Sequence, residues 1–462
     1  MIMNYKNKAL RQRVPLMKAL VPHDKSMFVH HHEAHALYGF YDSPFHNALV
    51  LTMDGGGDDG HFWFWRGDRH RCRVKRIQRV EENWGRLFFW IAQIVHEDLG
   101  LPHVSNWTHW ASMTNPGLLM EFASYGQPQA DWVEPIREFA HNATMRGSTS
   151  KERLESLCDL KDSFIRDQHT AADFVATAQL AMETAVRGHV TRASTQHPAA
   201  MQGIVLSGGV AFNTKLHRAL FEAFKVPVHA PAGSADDGQT VGMVYSQLPS
   251  CHRQEVVESS LRFIDAADLP QYVQQWNGRA VDAEATAALL AEGKVIGVLR
   301  GRFPLGLEPH PSALRSIVAH VSAAQRFNAT VMHRWYQPMH ILAALQDVGD
   351  LVQEPLASEM FRNEVQLRTD LQRRFPAIVD QSGRARLHPI GNGTDPWLPR
   401  VLQRLGALTG VPLLLHAMYD SLAAPQNIAL NNISQALRLW QSEQRLDYVV
   451  VEDFMFGPRA AV

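Results

Sequence analysis

The sequence predicts an α/β protein built from two domains. Short apolar segments of strand length alternate with longer segments of helical periodicity, and no internal repeat is evident. The length of 462 residues exceeds a single typical core. A polar segment at 248–259, which contains Pro249, is typical of a linker. We therefore expect one domain over residues 1–250 and a second over residues 260–462.

Hydrophobic periodicity gives the order of elements in the first domain. Continuous apolar segments bounded by glycine or proline indicate buried strands, and apolar residues three and four positions apart indicate helices. The predicted elements are strands at 47–54, 61–66, 203–206 and 227–230 and helices at 85–99, at 171–190 and after 213 through 224. The Trp- and Met-rich segment 106–125 is expected to be an irregular apolar loop.

The second domain continues the same alternation. Its predicted elements are helices at 283–292 and 433–441 and strands at 294–299, 411–415 and 448–451. Several arginines, among them Arg302 and Arg386, stand beside glycine turns, which suits phosphate binding. A solvated surface explains each single arginine equally well.

Composition excludes several functional classes. Hydrophobic residues make up 45% and charged residues 20%, as in an ordinary soluble enzyme, and a net charge of -1 predicts no nucleic-acid partner. No segment has the pattern of a signal peptide or a membrane span. Cys72, Cys158 and Cys251 are widely separated, so we expect neither a disulfide framework nor a cysteine metal site, and a cytoplasmic protein.

Histidines near the start of the chain point to a metal site. On a helix, His31 and His35 lie one turn apart on the same face, so both imidazoles can reach one ion. The zinc-protease motif is excluded, because Glu33 does not directly follow His31. With 24 histidines in the chain, a chance cluster remains an alternative.

The third ligand is expected from the segment 231–242, where Asp236 opens a helix of small residues. A plain helix N-cap is the alternative role for that carboxylate. Two histidines and one carboxylate with open positions suit Fe²⁺, which we favour, or Zn²⁺ with a bound water.

A set of motifs in a fixed order carries a family resemblance. The motifs are His31-His32-x-x-His35-Ala36, Asp54-Gly55, Gly208-Gly209-Val210-Ala211-Phe212-Asn213, Asp236-x-Gly238, Ala123-Ser124-Tyr125-Gly126, Gly301-Arg302, Arg315-Ser316-Ile317, Gly383 with Arg386 and Thr409-Gly410-Val411-Pro412. This set resembles the NodU-type O-carbamoyltransferases, including those that modify aminoglycoside antibiotics. The resemblance covers nearly the whole chain from Phe28 onward.

The resemblance implies a fold and a reaction. It implies a first domain with the actin-like ATPase fold and a second α+β domain like YrdC, which makes carbamoyladenylate from carbamoyl phosphate and ATP. A hydroxyl or amine of a small-molecule acceptor, expected to be a natural product, would then attack the adenylate in the first domain. No nucleic acid or membrane is expected as a partner.

The same resemblance implies roles for single residues. In the first domain it assigns a divalent metal to His31, His35 and Asp236, an orienting or proton-transfer role beside that metal to His32, and the nucleotide to Asp54, Gly55, Gly208, Gly209, Asn213 and Gly238. In the second domain it assigns carbamoyl phosphate and ATP to Arg302, Arg315, Ser316 and Arg386.

Departures from the family pattern leave two hypotheses open. The chain starts only about thirty residues before His31, so we expect the actin-like domain to be truncated at its start and completed by a homodimer partner or a second chain. In the second domain, Glu308 replaces a phosphate-binding arginine, and residues 416–420 replace an Asn-Thr-Ser-Phe-Asn motif. The chain is then an active carbamoyltransferase or a non-catalytic homologue that serves as a binding or scaffold subunit in a biosynthetic pathway.

Overall fold

A computed structural model defines the fold. It describes residues 2–3, 14–101, 109–142, 150–166, 169–248, 251–253, 263, 265–302, 313–331, 334–359, 362–391, 396–419, 432–443 and 445–458. The chain divides into two compact units, Met1–Glu255 and Val256–Val462. Both combine helices with a sheet, which confirms the α/β prediction.

Unit 1 alternates strands and helices in the predicted order. Its strands are β1 Ile2–Met3, β2 Met27–Phe28, β3 Asn47–Gly57, β4 Gly60–Asp68, β5 Arg73–Arg79, β6 Ile204–Ser207 and β7 Val228–His229. Its helices are α1 Val14–Leu20, α2 His31–Asp42, α3 Trp84–Ile94, α4 His109–Phe122, α5 Ala130–Asn142, α6 Ser150–Phe164, α7 Ala171–Gln196, α8 Thr214–Phe224 and α9 Gln239–Tyr245.

The main sheet of unit 1 has the strand order β5-β4-β3-β6-β7. The hairpin strands β3, β4 and β5 pair antiparallel, whereas β6 and β7 run parallel to β3. Counted along the chain within the sheet, the order is 3-2-1-4-5, so the antiparallel hairpins lie on one side of β3 and the parallel strands on the other. Strand β3 is central and buried along most of its length, as its continuous apolar sequence predicts.

Helix α2 lies against this sheet and against α9. A Cβ atom at Gly39 would lie 3.0 Å from Val205 of β6, and one at Gly242 would overlap the Ala34 carbonyl. The absence of side chains at these two positions lets α2 approach both neighbours closely. The first turns of α2 and α9 therefore lie next to the carboxyl ends of β3 and β6.

Unit 2 is built on a nine-stranded mixed sheet. Its strands are β8 Arg279–Ala280, β9 Ile296–Gly301, β10 Ala313–His320, β11 His340–Ala344, β12 Asn363–Gln366, β13 Arg384–Ile390, β14 Leu414–Met418, β15 Tyr448–Val451 and β16 Phe454–Phe456. Its helices are α10 Leu269–Gln275, α11 Ala283–Ala291, α12 Ala324–Val331, α13 Thr369–Arg374, α14 Trp397–Thr409 and α15 Ile433–Glu443. The strand order is β12-β13-β11-β14-β10-β9-β15-β16-β8.

The two faces of the unit 2 sheet carry separate apolar clusters. Leu415 and Ile317 belong to one cluster, and their strand neighbours Leu414 and Val318 belong to the other. This alternation is expected for strands buried on both faces.

Two expectations about unit 1 are wrong. Within the segment expected to be irregular, residues 109–122 form α4, which packs on α3 and α7 despite Pro116. Burial of Leu119, Met120 and Phe122 outweighs the weak local helix signal. Cys72 and Cys251 form a disulfide with Cα atoms 4.6 Å apart, although 179 positions separate them in the sequence. The cytoplasmic location stays a prediction.

None of the helices that the structure describes is both long enough and apolar enough to span a membrane.

Candidate metal centre

The position of the metal-site histidines depends on how α2 begins. The first N–H groups of a helix have no partner within the helix. Two aspartates in the turn between β3 and β4 supply acceptors: Asp58 Oδ1 accepts from the His31 N–H at 2.9 Å, and Asp59 Oδ1 from the His32 N–H at 3.1 Å. The hairpin thus starts the helix at His31 and directs its first turn toward the end of β3.

Four side chains converge at this point. The ligand atoms of His31, His35, Asp54 and Asp236 all lie within 4.8 Å of one another. Asp236 Oδ1 is 3.6 Å from His31 Nε2 and 3.5 Å from His35 Nε2. Asp54 Oδ2 is 3.8 Å and 3.5 Å from the same two nitrogens. Ligands bound tetrahedrally to one ion at about 2.1 Å lie about 3.4 Å apart, so the donor set fits a divalent cation.

Asp54 is a ligand candidate that the sequence analysis assigned to the nucleotide alone. It lies near the end of β3, and its carboxylate accepts from the Gly55 N–H at 2.5 Å and the Gly209 N–H at 3.1 Å. Those two bonds hold the carboxylate toward α2. The available signal was its place at the carboxyl end of a buried strand, where α/β sheets bind ligands.

The glycine segments that follow β3 and β6 meet at the same sheet edge. Gly208 has a φ of 95°, which favours glycine, and a Cβ there would overlap the Met53 carbonyl. The structure therefore brings Asp54, Gly55, Gly208 and Gly209 together, as predicted for one site.

His32 lies beside the cluster, but its ring nitrogens have other partners. Nδ1 is 3.0 Å from Thr52 Oγ1, and Nε2 is 3.1 Å from the Gly60 carbonyl oxygen. Burial lowers the pKa of His32 well below its usual value, and the neighbouring His31 adds to that effect. His32 therefore ties α2 to the sheet as a neutral imidazole.

At His35, unlike at His32, neighbouring carboxylates together have a larger effect on the pKa than burial has. Burial lowers the pKa of His35, but the carboxylates of Asp236 and Asp54 outweigh burial, so its pKa is raised. The side chain is fully buried. Two carboxylates around buried imidazoles thus create a site that favours positive charge.

Gln239 also reaches this cluster and was not identified from the sequence. Its Nε2 donates to Asp236 Oδ1 at 2.8 Å and lies 3.0 Å from His35 Nε2. The same atom lies 2.8 Å from Nδ1 and 3.2 Å from Nε2 of His31. Its spacing of three residues from Asp236 places both on one side of a helical turn, which is the signal the sequence offered.

Two predicted nucleotide residues have structural partners. Asn213 Oδ1 caps α8 by accepting from the Leu216 N–H at 2.9 Å, and its amide nitrogen donates to Gln179 at 2.8 Å. Gly238 is buried, and a Cβ there would overlap the ring of Tyr38. These contacts account for both residues without a ligand.

In unit 2, two of the four predicted phosphate-site residues belong to a row of polar side chains across the sheet. Ser316 Oγ is 2.8 Å from His416 Nε2. His340 lies opposite His416 on one neighbouring strand and opposite Arg386 on the other. Arg386 is fully buried and pairs with Glu364 at 2.8 Å. His340, His416 and Glu364 were not identified from the sequence.

The other two residues lie elsewhere. Arg315 neighbours Ser316 along β10 and so projects to the opposite face of the sheet. Arg302 follows the end of β9 and is exposed. Glu308 and Asp420 lie outside the described residues.

Comparisons with known proteins agree with this arrangement. Residues 4–244 match the family described as Carbamoyltransferase N-terminus, and residues 287–457 match Carbamoyltransferase C-terminus. The chain is 27% identical to nodulation protein NolNO of Sinorhizobium fredii over 94% of its own length and 64% of that protein. It is also 27% identical to nodulation protein NolO of Bradyrhizobium diazoefficiens, over 94% of its length and 79% of that protein.

A solved structure, HypF of T. kodakarensis, aligns with 53% of this chain and 40% of its own at 16% identity, with a TM-score of 0.33. The family matches alone decide the assignment. The chain belongs to the carbamoyltransferase family.

Proposed function

We propose that this chain forms a carbamoyladenylate from ATP and carbamoyl phosphate, with release of phosphate and pyrophosphate. A hydroxyl or amine of a small-molecule acceptor then takes the carbamoyl group, and AMP is released. Membership of the carbamoyltransferase family supports the transferred group. The observation that carries the proposal is the cluster of His31, His35, Asp54 and Asp236 beside the glycine segments of unit 1.

We assign the transfer step to unit 1. A divalent cation bound by the four clustered residues would supply a Lewis acid for the carbonyl oxygen of the transferred group. Asp54 joins this cluster to the glycine segments, because Gly55 and Gly209 both donate to its carboxylate. Gly208 lets the glycine segment after β6 lie directly against β3, because a side chain there would overlap the Met53 carbonyl.

His32 has a positioning role in this proposal. Its contacts with Thr52 and Gly60 hold the first turn of α2 on the sheet. Burial keeps the imidazole neutral, so it adds no positive charge beside the bound cation. The two ring nitrogens of His32 are therefore engaged in holding His31 and His35 in place.

We assign adenylate formation to unit 2. The polar row of Ser316, His416, His340 and Arg386 supplies hydroxyl, imidazole and guanidinium groups that suit phosphate oxygens. Glu364 balances the charge of Arg386, so this row is less positive than its arginine alone indicates. That pairing is the observation on the side of the alternative, a non-catalytic homologue that serves as a binding or scaffold subunit in a biosynthetic pathway.

Pyrophosphate release separates these two functions. The whole chain is mixed with ATP and carbamoyl phosphate in the presence of Fe²⁺, Mn²⁺ or Zn²⁺. Pyrophosphate that depends on carbamoyl phosphate is expected if unit 2 forms the adenylate, and Ser316→Ala should reduce its rate. If the wild-type chain releases none with any of the three metals, self-contained adenylate formation is wrong.

A further inference from the structure

The side-chain amide of Gln239 occupies a distinctive position in the metal cluster. Its Nε2 lies 2.8 Å from Asp236 Oδ1 and 3.0 Å from His35 Nε2, and it lies 2.8 Å from Nδ1 and 3.2 Å from Nε2 of His31. Gln239 is buried and is the first residue of α9, the helix that Gly242 holds close to α2. One amide group thus contacts three of the four ligand candidates.

These distances match a coordination position. Two ligands at right angles around one ion, each bound at about 2.1 Å, lie about 3.0 Å apart, and ligands at 120° lie about 3.6 Å apart. The separations of Asp236 Oδ1 from the two histidine nitrogens are 3.5 and 3.6 Å, which lie within this range. The amide atom lies close to the same three side chains and is therefore within reach of a cation that they would hold.

We propose that Gln239 is a fifth ligand of the cation and binds it through Oε1. The proposal rests on the metal site of the proposed function. A carboxylate oxygen only accepts hydrogen bonds, so the amide faces the cluster with its donor nitrogen. Rotation of the amide by a half turn about its last side-chain bond exchanges nitrogen for oxygen at nearly the same point. A cation reverses the preference, because it attracts the carbonyl oxygen and repels the amide N–H groups.

The fifth ligand has a consequence for the choice of metal. The complete set is two imidazoles, two carboxylates and one amide oxygen, which exceeds the four ligands of a tetrahedral zinc site. Cations that accept five or six ligands with mixed nitrogen and oxygen donors, such as Fe²⁺ and Mn²⁺, fit this set.

Titration of the whole chain with Mn²⁺, followed by calorimetry, tests the assignment. Gln239→Ala should weaken Mn²⁺ binding by about 10- to 100-fold, whereas Gln239→Glu should bind at least as tightly as wild type, because a carboxylate replaces the amide oxygen. Thr240→Ala, an exposed neighbour on the same helix, is the matched control and should bind like wild type. Far-ultraviolet circular dichroism of each metal-free variant shows whether it is folded.

Each outcome is decisive. Unchanged or tighter Mn²⁺ binding by Gln239→Ala overturns the fifth ligand while the four-residue site stands. Absence of binding by wild type and by every variant overturns the metal site itself, and with it the proposed function. If Gln239→Ala is unfolded, Gln239→Glu decides alone, since weaker binding than wild type contradicts a ligand role.

Discussion

Single residues in this protein differ in how far the sequence reveals their role. His31 and His35 were predictable as a pair because their spacing lies within one helix, and the structure places both in the cluster. Asp54 and Gln239 were not identified as members from the sequence, because strand pairing and the packing of α9 bring them to His31 and His35 from distant parts of the chain. Helix geometry is local, whereas these contacts are tertiary.

Glu82 is a residue that stabilises the fold, and its contacts are also tertiary and could not be predicted from the sequence. Its carboxylate is buried and contacts His189 Nε2 at 2.7 Å and Arg137 Nε at 3.0 Å. Burial by itself raises the pKa of Glu82, but the hydrogen bonds from His189 and Arg137 outweigh burial, so its pKa is lowered. The residue thereby joins the segment before α3 to α5 and α7.

We predict that Glu82→Gln lowers the free energy of unfolding by about 1–3 kcal/mol near neutral pH. The pKa of Glu82 is depressed in the folded state. Its contribution to the free energy of unfolding is therefore complete at a pH above the ordinary glutamate pKa, and it disappears as the pH falls through the pKa of the folded state. Urea unfolding of wild type and Glu82→Gln at several pH values measures the difference. The assigned ion pair would be contradicted if the difference in unfolding free energy between wild type and Glu82→Gln grew as the pH fell below the pKa of an ordinary glutamate.

Helices and strands were predictable from the sequence where their apolar periodicity is strong and glycine marks the ends of the segment. Strands β3 and β6 and helix α7 lie where expected. Strand β14 begins at Leu414, three residues later than the predicted start at 411, because 411–413 lie outside the strand ladder. Helix α4 was missed, since Pro116 and Gly117 indicate an interruption that packing on α3 and α7 overrides.

The contact between helices α2 and α9 positions the metal centre, and a substitution at that contact tests its role. A methyl group at Gly242 would meet the Ala34 carbonyl, so Gly242→Ala must separate the two helices. We expect a loss of about 1–3 kcal/mol in stability and weaker metal binding, because Asp236 and Gln239 move away from His31 and His35.

Gly188→Ala is the matched control for that variant. It lies within α7, where a Cβ would meet only the end of Arg192 at 3.8 Å. Alanine there should leave metal binding unchanged and raise helix stability slightly. Equal metal affinities for Gly242→Ala and wild type would show that the contact between α2 and α9 does not position the ligands.

At the scale of the whole molecule, the order of motifs was more informative than composition. Separate motifs in one order predicted the carbamoyltransferase family, and matches over 4–244 and 287–457 confirm it. Cysteine spacing gave the wrong expectation for Cys72 and Cys251, because chain folding within unit 1 brings together residues 179 positions apart. Ligand identity depends on the chemistry of each site rather than on the fold, which is why the acceptor remains a proposal.

The central claim is that one divalent cation is held jointly by residues from α2, β3 and the segment before α9. The most direct measurement is the metal content of the whole chain after reconstitution with Fe²⁺ and removal of free metal, for wild type, His31→Ala and His30→Ala. His30 is exposed, pairs with Asp58 and is not among the four clustered residues, so it is the matched control. We predict about one ion per chain for wild type and His30→Ala and less than about a tenth of that for His31→Ala. Full metal content in His31→Ala would contradict the claim.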